Sequence, residues 1–174
     1  LFFIFYQFVM WYYSHKLSRI LIINNLTFVT LTLYPFFGVM VYYQTFSKKV
    51  LLMAVFLFLI LLIIDIVKDT LTRKVDEVFG YVTISNFFSK KTANSIVISL
   101  QIITLIISAG IIDKTGLNGI MEYYFAAGLF VFILCIFLMI NPTRKSKFMT
   151  LNILRLWVFI GIISMLLNGI SGKI

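Results

Sequence analysis

The chain has 174 residues, 61% of them hydrophobic and 12% charged, with a mean hydropathy of +1.06. Soluble domains average about one quarter charged residues, so a water-soluble globule, a disordered tail and a secreted disulfide scaffold are all excluded. The formal net charge of +9 comes from Lys and Arg gathered in short gaps between apolar runs, not from a basic stripe on a polar face. Nucleic acid is thereby excluded as a partner, and the chain reads as a multi-pass integral membrane protein.

A spanning helix takes about 20 mostly apolar residues. Residues 1–13 are apolar but too short to cross, and they carry neither the basic leader nor the small-residue cleavage site of a signal peptide. They read as the end of a helix that starts upstream, so the chain is expected to be part of a longer protein. Five full spans follow at 20–43, 49–68, 92–112, 119–140 and 149–170. The fold class is therefore all-α: one transmembrane helix bundle over residues 1–174, with five full spans and one partial. Pro35 predicts a kink in the first full span, and Asn141–Pro142 a stop for the fourth. Met10–Tyr13 and Tyr123–Tyr124 are expected as interfacial aromatics. A single Cys (Cys135) and a single His (His15) leave no internal disulfide and no Cys/His metal cluster.

Alternating the gaps across the membrane sorts the basic residues. Lys16, Arg19, Lys68, Arg73, Lys74, Lys90, Lys91, Arg144, Lys145 and Lys147 fall on one side, ten in all. Lys48, Lys49, Lys114 and Lys173 fall on the other, four in all, and Arg155 lies within the last span. The richer side is expected to be cytoplasmic.

Two polar clusters lie on that side. In YYSHKLSRILIINN, residues 12–25, Tyr13, His15, Lys16 and Arg19 read either as a positive-inside loop with its aromatic belt or as a binding segment. Asn24 and Asn25 follow as a polar pair suited to joining helices. The second cluster is IDIVKDTLTRKVDEVFGYVTIS, residues 64–85. At about 100° per residue, Asp65, Asp69 and Asp76 fall at about 0°, 40° and 20° around a helix, and Thr72 at about −20°. Gly80 supplies the place for that helix to end. Carboxylates stacked in this way repel one another unless a cation sits among them. Mg²⁺ takes carboxylate oxygens and completes its shell with water and substrate phosphates, so a lipid diphosphate held through Mg²⁺ is one reading. Lys68, Arg73, Lys74, Lys90 and Lys91 are then further phosphate partners. A solvated juxtamembrane helix laced with ion pairs is the other.

Together the two clusters resemble the UbiA superfamily of intramembrane prenyltransferases, in the branch similar to geranylgeranylglycerol-phosphate synthases. Lys68, Asp69, Asp76, Gly80, Tyr81 and Thr83 match a KD-x-x-D-x-x-x-D-x-x-x-GY-x-T pattern, with Thr72 where the family has its middle aspartate. Tyr13, Ser14, Lys16, Leu17 and Arg19 match the family's YS-x-K-L-K-R segment, with Ser18 at one basic position. The resemblance implies a nine-helix bundle of which this chain is the C-terminal two thirds, the first aspartate motif lying upstream. It implies Mg²⁺ as cofactor, and a prenyl diphosphate and a lipid or aromatic acceptor as partners. Asp69 and Asp76 are then the catalytic metal ligands, Asp65 and Thr72 assist them, and Lys68, Lys16, Arg19 and Tyr13 hold the diphosphate. A relative that keeps the scaffold and binds isoprenoid lipid without turnover is the alternative.

Overall fold

Apolar runs of this length satisfy their backbone groups within lipid only by closing helices on themselves. The computed structural model describes residues 2–44, 46–115 and 119–171, and among these there is no strand. In chain order the helices are α1 (Phe2–His15), α2 (Ile23–Tyr42), α3 (Lys48–Val78), a short α4 (Ile84–Phe87), α5 (Lys90–Thr115), α6 (Ile120–Ile140) and α7 (Arg144–Ser171). A 3-10 turn, Leu17–Arg19, joins α1 to α2. Five of them, α2, α3, α5, α6 and α7, are long and apolar enough to cross a membrane. Leu1 and Lys173 lie outside the described residues.

Two boundaries differ from expectation for identifiable reasons. The helix expected over 49–68 runs on unbroken to Val78, because nothing between Asp65 and Phe79 breaks it. Lys68 instead bonds Asp65, and Arg73 bonds Glu77, on the same helix. It stops in a Schellman motif: Gly80 takes φ +70°, Gly80 N–H donates to the Glu77 carbonyl and Tyr81 N–H to that of Asp76. Helix α7 begins at Arg144 rather than 149, since Thr143 and Ser146 cap each other's backbone N–H groups ahead of a basic first turn. Pro35 lies inside a continuous α2, and α6 ends just before Asn141–Pro142.

Helix α3 is the centre of the bundle. It packs against α2, α4, α5 and α7, and Ile60, Ile63, Ile66 and Val67 are fully buried. At 31 residues and about 1.5 Å per residue it is roughly 46 Å long, more than a hydrocarbon core of about 30 Å requires. Its polar last turns therefore have room to stand at the membrane boundary. Phe56 anchors the other half, its ring 5.0 Å from that of Phe125 and 5.8 Å from that of Phe132.

Helices in lipid associate through close packing, so small residues mark their contacts. Tyr124 of α6 stacks on Trp157 of α7 at 4.7 Å, and its ring lies over Gly161. A Cβ at Gly161 would meet the Tyr124 oxygen at 2.6 Å and its ring carbon at 2.9 Å, whereas one at Gly110 would meet nothing. Gly161→Ala is expected to destabilise the protein by about 1–3 kcal/mol, and Gly110→Ala to be neutral. Thermal unfolding in detergent, read by tryptophan fluorescence, checks the contrast.

Candidate functional site

The chain turns sharply between α1 and α2, and that turn builds the site. After the 3-10 turn, Ile22 takes φ +67° and ψ −46°, the centre of a rare, strained γ-turn that Ile23 N–H closes by donating to the Leu21 carbonyl at 2.7 Å. The reversal sets Asn24 and Asn25 in the first turn of α2, facing opposite neighbours. Asn24 Oδ1 accepts from the Tyr13 hydroxyl at 2.8 Å, tying α2 to α1. Asn25, wholly buried, donates from Nδ2 to Asp65 Oδ2 at 2.8 Å and to Asp69 Oδ2 at 2.7 Å, tying α2 to α3.

The two carboxylates lie one turn apart and each is only 4% exposed. Lys68 is their counter-ion, with Nζ 2.9 Å from Asp65 Oδ1 and 3.7 Å from Asp69 Oδ1. The same ammonium stands 5.0 Å from the centre of the Phe28 ring, and its side chain is 41% exposed, so it reaches from the carboxylates towards water. Ser85 Oγ donates to the Asp69 carbonyl at 2.8 Å and lies 3.1 Å from Thr83 Oγ, which docks α4 beneath the site. Asn86 Oδ1 accepts from Thr83 N–H at 2.8 Å and completes the turn after Gly80.

These groups enclose a cavity of about 200 Å³. Tyr13 and Ser14 of α1, Ser18 of the turn, Asn24 of α2, Asp65, Lys68, Asp69 and Asp76 of α3, and Tyr81 and Thr83 beyond it form its walls. Three carboxylates thus face one ammonium. Burial, and then the charges of Asp65 and Asp69, push the Tyr13 phenol up to about 12, so it remains a neutral O–H donor throughout the physiological range.

The sequence-predicted residues separate into two groups. Tyr13, Asp65, Lys68, Asp69 and Asp76 meet at the cavity. Thr72 stands behind them, donating to Asp76 Oδ2 at 3.0 Å. Lys16 and Arg19 line no part of it: the Lys16 ammonium lies 5.9 Å from the Tyr12 ring centre, and Arg19 is exposed on the turn. His15 is engaged locally, its Nδ1 2.9 Å from the Trp11 carbonyl oxygen. Arg73, Lys74 and Lys90, expected as phosphate partners here, line a different cavity on the α5 and α7 side of α3. The Asn24–Asn25 pair does join helices, and Asn25 does so by holding the carboxylates themselves. Spacing along the chain could not show this, because the partners are some forty residues apart and meet only once α2 and α3 pair.

Comparison with protein-family models, with curated proteins and with solved structures finds no match.

Replacing Asn25 with Leu removes both donors and leaves two buried carboxylates short of partners, so Asn25→Leu is expected to cost about 3 kcal/mol. Asn24→Leu breaks one neutral hydrogen bond and is expected to cost about 1 kcal/mol. Paired unfolding curves in detergent measure the difference.

Proposed function

We propose that this chain carries the diphosphate site of an integral membrane prenyltransferase, moving a polyprenyl group from its diphosphate to a lipid or aromatic acceptor with Mg²⁺. The observation that carries the reading is the meeting of Asp65, Asp69 and Asp76 with Lys68 and the neutral Tyr13 phenol at one small cavity. It lies at the end of a bundle whose outer surface is apolar. The charge asymmetry of the gaps supports a cytoplasmic position for that end.

The donor set fits Mg²⁺ in kind, since it is entirely oxygen. It also has an acceptor to spare: Asn25 Oδ1 is buried beside the carboxylates with no partner. Among the described residues no three acidic or imidazole groups converge tightly enough to cage an ion on their own. Mg²⁺ commonly binds through one or two carboxylates and takes the rest of its shell from phosphate and water. Asp69 and Asp76 would hold it, with Asp65 and Thr72 assisting; when bound, it neutralises charge developing on the departing diphosphate.

The chain's own groups do the rest. Lys68 turns its exposed ammonium from Asp65 to a phosphate oxygen, and Tyr13 turns its hydroxyl from Asn24 Oδ1 to a second one. Both contacts strengthen as the bond between the prenyl carbon and the diphosphate oxygen lengthens and charge gathers on that oxygen. The acceptor then bonds that carbon and gives up its proton, which the released diphosphate takes up. Lys16 and Arg19, outside the walls, add to the positive potential that draws an anionic head to this end. A cavity of about 200 Å³ holds a diphosphate head and not a polyprenyl chain, whose place is against the apolar helices.

One observation favours the second reading, a scaffold that binds isoprenoid lipid without turnover. Asn25 and Lys68 already satisfy Asp65 and Asp69, and Thr72 offers Asp76 a hydroxyl where the resembled family has an acid. Binding of a non-hydrolysable geranylgeranyl diphosphate analogue to the purified protein separates the two. The catalytic reading predicts affinity that falls at least about 100-fold, about 2.7 kcal/mol, without Mg²⁺ or in an Asp69→Ala, Asp76→Ala variant. Binding indifferent to metal and to those substitutions would leave only the scaffold.

A further inference from the structure

Helix α3 borders two cavities of opposite sign. On its α5 and α7 side lies a space of about 730 Å³ into which three helices bring Arg73, Lys74, Lys90, Arg144 and Lys147, against the single acid Glu77. Glu77 is taken by Arg73, which bonds it through Nε at 3.1 Å. Among the described residues Lys74, Lys90, Arg144 and Lys147 have no ion-pair partner. Cations gathered from three separate helices repel one another and work against the packing that brings them together, unless an anion sits among them. Both α5 and α7 begin here, at Lys90 and Arg144, and add the positive ends of their backbone dipoles.

The cavity also adjoins a second space along α3 and α7. This hollow of about 630 Å³ shares Leu71, Thr72 and Arg144 with it, and Lys68, Lys145, Phe148 and Leu151 complete its walls. A basic chamber beside a hollow to which Leu71, Phe148 and Leu151 give apolar wall, at the boundary end of a membrane bundle, has the form of a headgroup site with room for the start of an acyl chain.

We propose that this basic cavity is a second anion site, distinct from the carboxylate cavity, and that it takes a phosphate group carried on the headgroup of an anionic lipid. Arg144 presents a forked donor suited to phosphate oxygens, Arg73 keeps Nη1 beyond its bonds to Glu77 and to the Asn86 carbonyl, and the lysines supply point charges around them. Occupancy relieves the repulsion between the starts of α5 and α7 and the end of α3, so bound lipid holds these three helices together. The site goes beyond the prenyl-transfer reading and needs no Mg²⁺.

Two adjacent lysines make the test specific, because Lys90 lines the cavity and Lys91 does not. Purified protein in a neutral detergent with EDTA is titrated with phosphatidylglycerol or phosphatidylcholine and bound lipid is read by native mass spectrometry. Inorganic phosphate is added as competitor in a parallel arm. The expected result is a preference of about tenfold for phosphatidylglycerol, weakened about fivefold by Lys90→Gln and by Lys147→Gln but less than twofold by Lys91→Gln. Competition by inorganic phosphate only at millimolar concentration supports a lipid source, and displacement at concentrations matching the lipid's assigns the same site to the free anion. Equal losses in Lys90→Gln and Lys91→Gln would reduce the effect to diffuse surface charge and overturn the proposal. So would equal binding of the two lipids with no response to phosphate.

Discussion

Two carboxylates buried one helical turn apart cannot be left to themselves, and the rest of this structure follows from how Asp65 and Asp69 are accommodated. Of the cations on their own helix Lys68 is the one that pairs with them, reaching both but favouring Asp65. The remaining demand is met from another helix, by an amide that donates a hydrogen to each. An amide with two N–H groups and no charge can bridge two carboxylates without itself adding a charge to bury. That choice fixes where α2 must start, and hence the strained Ile22 turn and the position of α1. The cavity is what remains between the three helices once these bonds are made.

Helix α3 then acts as a partition. On its α1 and α2 side lie carboxylates, the neutral phenol of Tyr13 and the Lys68 ammonium; on its α5 and α7 side, guanidinium and ammonium groups from three helices. Thr72 sits between, bonded to Asp76 on one side while lining the basic cavity on the other. Charges of opposite sign separated by one helix width attract across it, which moderates the cost of gathering each set. The length of α3 beyond the hydrocarbon allows both sets to stand at the boundary, where water and phosphate can reach them.

Much of the bundle was legible in the sequence, because hydropathy over about 20 residues is a strong local signal. The five long helices fall where the apolar runs predict them. The extension of α3 was partly legible: the common arc of Asp65, Asp69, Thr72 and Asp76 presumes a helix, and Gly80 marks its end. Pairing between helices was not. Asn25 looked like any polar residue entering a span, and only the antiparallel meeting of α2 with α3 makes it the partner of two acids. Lys16 and Arg19 lie close to Tyr13 in sequence, yet the 3-10 turn carries them away from the cavity that Tyr13 lines. Arg73, Lys74 and Lys90 likewise adjoin the acids in sequence but turn to α7, whose basic first turn lies more than fifty residues further along. Capping by Thr143 and Ser146, which brings those charges onto α7, was a local signal open to being read.

Because Mn²⁺ replaces Mg²⁺ in oxygen-ligand sites and is paramagnetic, it can report on the carboxylate cavity directly. Pulsed electron–nuclear double resonance of the purified protein with Mn²⁺ and a geranylgeranyl diphosphate analogue reads whether phosphorus lies in contact with the ion. The account predicts a ³¹P hyperfine coupling that is present in the native protein and absent from the Asp69→Ala, Asp76→Ala variant. Mn²⁺ that stays free in solution, or a coupling that survives the substitutions, would contradict it.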